Sequence, residues 1–329
     1  MPNFQRIFEQ FNELTVVVIG DVMIDSYQWG RVDRISPEAP VPILTSARRE
    51  YRLGGAANVA LNLQALGATP LLCSVVGSEA QAALFSQLLG ASRLAQEGIV
   101  ADSSRVTTTK TRIIAGTQHL LRIDEETTTP LHEALEQKFA AHVAQLITGR
   151  RVDAIIFEDY DKGVLTPALI GGVVRLANER GIPTLVDPKK RNFAEYKNVT
   201  LFKPNFAELC EGLKEEVDKK SYEAIFAAAQ KINERMNVRY AMITLSERGV
   251  IISDGREYAA IPAELRNIAD VSGAGDTVIS VASLCLAAGM APRWIAAVAN
   301  LAGGLVCERA GVVPIDKKQL LEECLKKLA

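Results

Sequence analysis

The sequence predicts an α/β fold built on a mostly parallel sheet flanked by helices. Three features carry that expectation. Thr15-Val-Val-Val-Ile19 is a continuous β-branched run, as in a strand buried on both faces of a parallel sheet. From residue 131 to 245 strand-like and helix-like segments alternate, the pattern of β-α-β-α units. Val278–Ala288 is apolar nearly all round, which suits a buried helix. The 329 residues fit one large domain or two small ones, and length alone does not choose.

Residues 3–13 alternate apolar and polar at helical spacing. The Thr15–Ile19 strand then ends in Gly20-Asp21, with Asp25 four residues on. Polar groups past the carboxyl end of a central strand sit where open α/β sheets bind ligands. Asp21 and Asp25 are therefore candidates to hydrogen-bond substrate hydroxyls; a solvated turn and a cap are the plainer alternative. The pattern changes over 27–45. Within it Pro37, Pro40 and Pro42 exclude helix and central strand for 35–44, which reads as extended, edge-like chain, part of a flap whose apolar residues need a partner surface. Leu53-Gly54-Gly55-Ala-Ala-Asn58 is a glycine turn entering a helix that ends at Gly67. Its glycines permit close approach of a ligand, and Asn58 offers donor and acceptor to a sugar hydroxyl. Residues 70–76 resemble a strand and 79–89 a helix.

Residues 106–124 read as a hairpin around Ala115-Gly116-Thr117. Period two puts Lys110 and Arg112 on one face, with Arg122 on the returning strand. Such a face over a sugar site would suit a phosphorylated sugar; the alternative is a solvated charged surface. Helices follow at 131–147, 166–180 and 221–236, with strands at 153–157, 183–186, 200–202 and 240–245. These strands end in Glu158-Asp-Tyr-Asp-Lys-Gly163, Asp187-Pro-Lys189, Lys203-Pro-Asn205 and Ser246-Glu-Arg-Gly249. Asn205 and Glu208 lie three apart across a helix start and face one side. They could hold magnesium, directly or through water, or simply cap the helix. A small hairpin at 250–261, an apolar helix at 294–307 containing Asn300, and a charged helix at 316–328 complete the chain.

The chemistry concentrates in Asp270-Val-Ser-Gly273-Ala274-Gly275-Asp276-Thr277. The glycines admit turn conformations closed to other residues, and the amides of 273–276 fall at a helix start, where free N–H groups bind anions. A carboxylate repels phosphate, so binding alone gives no reason for Asp276. It makes sense as a base taking a proton from a hydroxyl while the amides hold the phosphoryl group under attack. An N-cap aspartate after a glycine turn is the alternative.

Bulk composition narrows the classes. Lys plus Arg is 37 and Asp plus Glu 39, a net charge of -2, which offers no electrostatic case for nucleic acid or an anionic membrane. No window approaches 18 consecutive apolar residues, and the N-terminus lacks a secretory pattern. Five scattered cysteines without C-x-x-C pairing point to reduced thiols and a cytoplasmic location.

Leu53-Gly-Gly-Ala-Ala-Asn-Val-Ala60 and Asp270-Val-Ser-Gly-Ala-Gly-Asp276-Thr, with Lys203-Pro-Asn-x-x-Glu208 between them, resemble the signatures of the ribokinase-like (PfkB) sugar kinases. The resemblance covers essentially the whole chain. It implies one kinase domain over 1–329, a three-layer α/β/α sandwich with a small β-sheet lid drawn from about 27–45 and 106–124. Gly20-Asp-Val-Met-Ile-Asp25-Ser-Tyr27, Arg34-Ile-Ser-Pro-Glu-Ala-Pro-Val-Pro42, Asp159-Tyr-x-Lys-Gly163 and Asp187-Pro-Lys189 look like one branch of that family. Its members phosphorylate D-glycero-β-D-manno-heptose 7-phosphate at the anomeric hydroxyl, on the route to ADP-heptose and lipopolysaccharide. Many are fused to an adenylyltransferase; this chain ends at Ala329 without a His-x-Gly-His, so a stand-alone kinase is expected.

By matching position, the resemblance implies Asp276 as base and Gly273, Ala274 and Gly275 as the anion hole. It implies Asp21, Asp25, Gly54, Gly55 and Asn58 at the sugar, and Lys110, Arg112 and Arg122 near its 7-phosphate. Lys189 would lie near the phosphates, Asn205 and Glu208 near Mg-ATP, and Ser246, Gly249 and Asn300 around the nucleotide. ATP and Mg2+ are the implied cofactors, with room for a monovalent cation, and a homodimer through the lid is expected. Ser272 stands where threonine is usual, and Asp161 replaces a small residue, which bears on sugar choice. The rivals are a PfkB kinase for another sugar and a silent sugar-binding regulator. A dinucleotide oxidoreductase is disfavoured, since no G-x-G-x-x-G follows the first strand.

Overall fold

The computed structural model describes residues 1–328. Its first half contains α1 (Phe4–Gln10), β1 (Thr15–Gly20), β2 (Val22–Ile35), β3 (Pro42–Gly55), α2 (Ala56–Ala65), β4 (Thr69–Val76) and α3 (Ala80–Ala91). Then come β5 (Ile99–Ala101), β6 (Thr109–Ala115), β7 (Gln118–Glu125), α4 (Glu133–Thr148), β8 (Ala154–Glu158) and α5 (Pro167–Glu179). After these follow β9 (Thr184–Asp187), β10 (Leu201–Phe202), α6 (Phe206–Leu213), α7 (Tyr222–Met236), β11 (Tyr240–Thr244), β12 (Val250–Ser253) and β13 (Tyr258–Ile261). Helices α8 (Ala274–Ala287), α9 (Pro292–Cys307) and α10 (Lys317–Lys327) end the chain.

Nine strands form the main sheet in the order β13-β12-β11-β10-β9-β8-β1-β4-β5. Neighbours from β11 to β5 run parallel, whereas β12 and β13 turn back antiparallel. The alternation within β1 explains the layers. Val16 and Val18 enter one core with α1, α2, α3, α8, α9 and α10. Val17 and Ile19 enter the other, with α4, α5, α6 and α7. The result is the expected α/β/α sandwich.

The chain runs from β1 to β4 in one direction and from β8 to β11 in the other, so β1 and β8 flank the switch point. Ligands bind there in open α/β sheets. Gly20 pairs with Glu158 across it, and a methyl at Gly20 would stand 2.0 Å from Glu158 O; only glycine lets the strands pass so closely.

A second sheet, ordered β3-β2-β6-β7, forms the lid. The flap expected over 27–45 is larger than its prolines suggested. Strand β2 is 14 residues long and lies inside the sheet, between β3 and β6. The prolines fit at its margin, because Pro37 and Pro40 lie in the turn and Pro42 opens edge strand β3. Asp25, Tyr27, Arg52, Lys110, Arg112, Arg122 and Asp124 follow the pairing register onto one face.

Candidate active site

Helix α8 begins at Gly273, whose φ of +79° is the left-handed region that favours glycine. No side chain caps this start, so first-turn amides beyond that of Ala274 are left for a ligand. Gly273, Ala274 and Gly275 are half-buried, and the Ala274 amide reaches back to Val271 O at 3.3 Å. A methyl at Gly275 would lie 3.4 Å from Asp187 Oδ2, which sets the anion site beside the end of β9.

Asp276 occupies the first turn of α8 and is 5% exposed. Both its oxygens accept hydrogen bonds, Oδ2 from Asn58 Nδ2 at 2.7 Å and Oδ1 from the Tyr160 hydroxyl at 2.9 Å. Burial pushes its pKa up, Asn58 works against that, and Asp187 adds to it. Asn58, expected at the sugar, is thus tied to Asp276, and Asn62 Nδ2 holds Asn58 O at 2.9 Å.

Asp25 forms an ion pair with Arg112 Nη1 at 2.5 Å. Gly54 makes space for it, since a methyl there would stand 2.3 Å from Asp25 Oδ2. Gly55, at φ +60°, caps α2 and lies against Asp21 O. Asp21 is committed to the backbone: its carboxylate accepts from the amides of Tyr160, Lys162 and Val164 at 2.9, 3.0 and 3.1 Å. Burial, then Asp159, raises its pKa to about 6 despite those bonds. Of the lid cations, Lys110 is held by Asp124 and Glu126 at 3.0 and 3.3 Å. Arg122 pairs with Asp124 at 2.9 Å and is largely exposed. Arg112 alone of the three pairs with Asp25. Arg52, which sequence reasoning passed over, lies over the Tyr27 ring at 5.2 Å, as Arg112 does, and reaches Val312 O at 3.3 Å.

On the other side of Asp276 lies a group the sequence supplied only as unassigned strand ends. Carboxylate oxygens of Glu158, Asp187 and Asp276 lie within 4.8 Å of one another. Glu158 Oε2 is buried with no hydrogen-bond partner, and burial, then Asp187 and Asp276, push the Glu158 pKa well up. Buried Lys203 pairs with Asp187 at 2.8 Å. An unpartnered carboxylate oxygen among hard oxygen donors fits a divalent cation. Asn205 and Glu208 instead form a capping box at the start of α6, with bonds of 2.8 and 2.9 Å. The other Glu208 oxygen pairs with Lys189. Burial opposes the Lys189 ammonium, but Asp187 and Glu208 outweigh it and hold its pKa above the usual value. Farther out, Ser246 has φ +55°. Gly249 has φ +87°, with Ile261 O 2.0 Å from where a methyl would be. Asn300 Nδ2 holds Pro262 O at 2.9 Å, under the loop leading to Asp270.

The chain is similar to known proteins. The chain is 38% identical over 322 residues to the bifunctional protein HldE of Citrifermentans bemidjiense, and 39% over 314 residues to that of Magnetococcus marinus. It spans about two thirds of their length, 65% and 64%, while 97% and 94% of its own residues are covered. Among solved structures it resembles phosphofructokinase-2 from Escherichia coli in complex with potassium, with a TM-score of 0.77 at 17% identity, covering 94% of this chain and 97% of that one. Arabidopsis thaliana ribokinase complexed with ribose and ATP gives a TM-score of 0.72 at 16% identity, over 94% and 98%. Residues 13–318 match the pfkB family carbohydrate kinases, and to that family the chain belongs.

Proposed function

We propose that the chain is an ATP-dependent kinase transferring the γ-phosphoryl group to the anomeric C1 hydroxyl of D-glycero-β-D-manno-heptose 7-phosphate, giving the 1,7-bisphosphate. The observation that carries the transfer chemistry is Asp276, a buried carboxylate held through both oxygens in the first turn of an uncapped helix. Asp276 takes the hydroxyl proton as the sugar oxygen bonds to phosphorus and the bond to the ADP oxygen breaks. Amides at the start of α8 and the ammonium groups of Lys203 and Lys189 bear the charge on the moving group. Glu158 and Asp187 are the ligands we assign to Mg2+, with Glu208 acting through water. That ion, when bound, offsets phosphate charge.

Asp25, Gly54 and Gly55 line the sugar, and Arg112 stands where an anionic substituent is favoured. Ser246, Gly249 and Asn300 frame the nucleotide end. The choice of a heptose phosphate rests on the motif segments 20–27, 34–42, 159–163 and 187–189 together with this basic lid face. We read 1–329 as a single kinase unit that dimerises through its lid. A cytoplasmic setting suits its five free thiols; no described helix is long and apolar enough to cross a membrane.

The test is a panel of sugars and sugar phosphates with Mg-ATP, with and without potassium, following ADP release. The heptose 7-phosphate is expected to give the highest kcat/KM. A faster fructose 6-phosphate or free pentose would remove the heptose assignment. Asp276→Asn is expected to abolish nearly all turnover while leaving ATP binding intact, and an active variant would remove the base.

A further inference from the structure

Tyr160 stands two residues past β8, at the switch point, and its hydroxyl donates to Asp276 Oδ1 at 2.9 Å. A phenol hydroxyl is both donor and acceptor, and facing an acceptor-only carboxylate it serves as the donor. The loop that carries it is fixed from three directions. Asp21 accepts the amides of residues 160, 162 and 164. Asp159 Oδ2 accepts from Asn192 Nδ2 at 3.1 Å and from the Tyr196 hydroxyl at 2.6 Å. Asp161 sits at φ +57° and Gly163 at φ +89°, where a methyl would stand 2.0 Å from Thr129 O. Positive φ at a non-glycine residue persists only where its surroundings enforce it. The Lys189 ammonium rests 5.5 Å over the Tyr160 ring, a cation–π contact that seats the ring from the β9 side.

We infer that Tyr160 is a positioning residue for the phosphoryl-transfer base: its hydroxyl, with the Asn58 amide on the other oxygen, fixes the carboxylate plane of Asp276 against the attacking alcohol. The inference rests on Asp276 being the base. The substrate hydroxyl proton passes to Asp276 while Tyr160 keeps its own, so no further proton acceptor is needed. A hydrogen bond that only aims the base acts on the chemical step and leaves substrate binding alone.

The test compares Tyr160→Phe and Asp276→Asn with the parent enzyme, reading kcat and both KM values. Tyr160→Phe keeps the ring and its contact with Lys189. Its kcat should fall roughly 10-fold or more, the loss expected for one hydrogen bond to a charged group, with both KM values within about twofold. Parental kcat in Tyr160→Phe, beside a dead Asp276→Asn, would overturn the role of Tyr160 and leave the base standing. An active Asp276→Asn would remove both. A lower kcat accompanied by comparable rises in both KM values would mark a merely structural residue and overturn the inference. Tyr160→His, which retains a ring and a donor, guards against a folding failure of the phenylalanine variant. It is expected to keep more kcat than Tyr160→Leu, which has no donor, and equal rates in those two would count against positioning.

Discussion

A carboxylate with 5% of its surface exposed ionises reluctantly, and what surrounds Asp276 sets how reluctantly. Burial raises its pKa, Asn58 lowers it and Asp187 raises it again. A base must be ionised to act, so activity should be present above its raised pKa and lost as pH falls through it. Removing the Asn58 donor takes away the largest opposing effect. Asn58→Ala should therefore move the acid limb of kcat/KM to higher pH, as rates measured between pH 5 and 8 would reveal; an unmoved limb would contradict the contact. Gly54 makes a second point, because its missing side chain leaves room for Asp25 Oδ2. Gly54→Ala should push that carboxylate off Arg112 and raise the sugar KM roughly 10-fold or more, with the ATP KM unchanged. Asp276 and its glycines were legible in the sequence because they are contiguous. Tyr160, Glu158, Asp187 and Lys203 were visible as strand-end residues, yet only the sheet order brings them to one point. That order is not a local property of sequence.

Between the residue and the fold stands the loop after β8, gathered onto Asp21 by three amides. Asp21 was read as a sugar ligand because it follows a central strand. The structure turns both its oxygens to backbone, and that could not be read from sequence because the amides arrive from 139 to 143 positions away. Its folded pKa of about 6 lies above the ordinary aspartate value of 3.8, which fixes the sign of a pH effect. The stabilisation from its protonation is complete below about pH 4 and lost as pH rises through about 6. Asp21→Asn cannot take up that proton, and its amide offers one acceptor oxygen to three donors. The variant should melt lower at every pH, and the gap in Tm from the parent should widen between pH 7.5 and 5. A constant gap would show that Asp21 titrates normally. Regular elements were easier to read than this clasp. Strands β8, β9 and β11 and helices α4, α5 and α7 follow the apolar periodicity to within two residues. The lid did not read so easily, since the prolines that punctuate its turn hide the 14-residue strand before them.

At the scale of the whole molecule, the lid has two unlike faces. One carries Asp25, Arg112 and the charged partners of the cleft. The register puts Ile113, Leu121 and Ile123 on the other, where Leu121 is 56% and Ile123 44% exposed. Ile35 and Val41 add exposed apolar area near the hairpin turn. Long exposed strands with apolar faces invite pairing with another chain, and a second copy would cover both lids at once. Burying a leucine or isoleucine contributes about 1.5–3 kcal/mol, so charging two of them should separate the copies without touching the sandwich cores. The parent is expected to sediment as a dimer, and Leu121→Glu with Ile123→Glu as a monomer of nearly parental Tm. If lid pairing also steadies the strand bearing Arg112, the monomer should show a raised KM for the sugar phosphate and an unchanged KM for ATP. A parent that sediments as a monomer at micromolar concentration would refute the lid dimer. A monomeric variant with parental kinetics would instead confine pairing to covering apolar surface, leaving Arg112 positioned by Asp25 and Tyr27 within one chain.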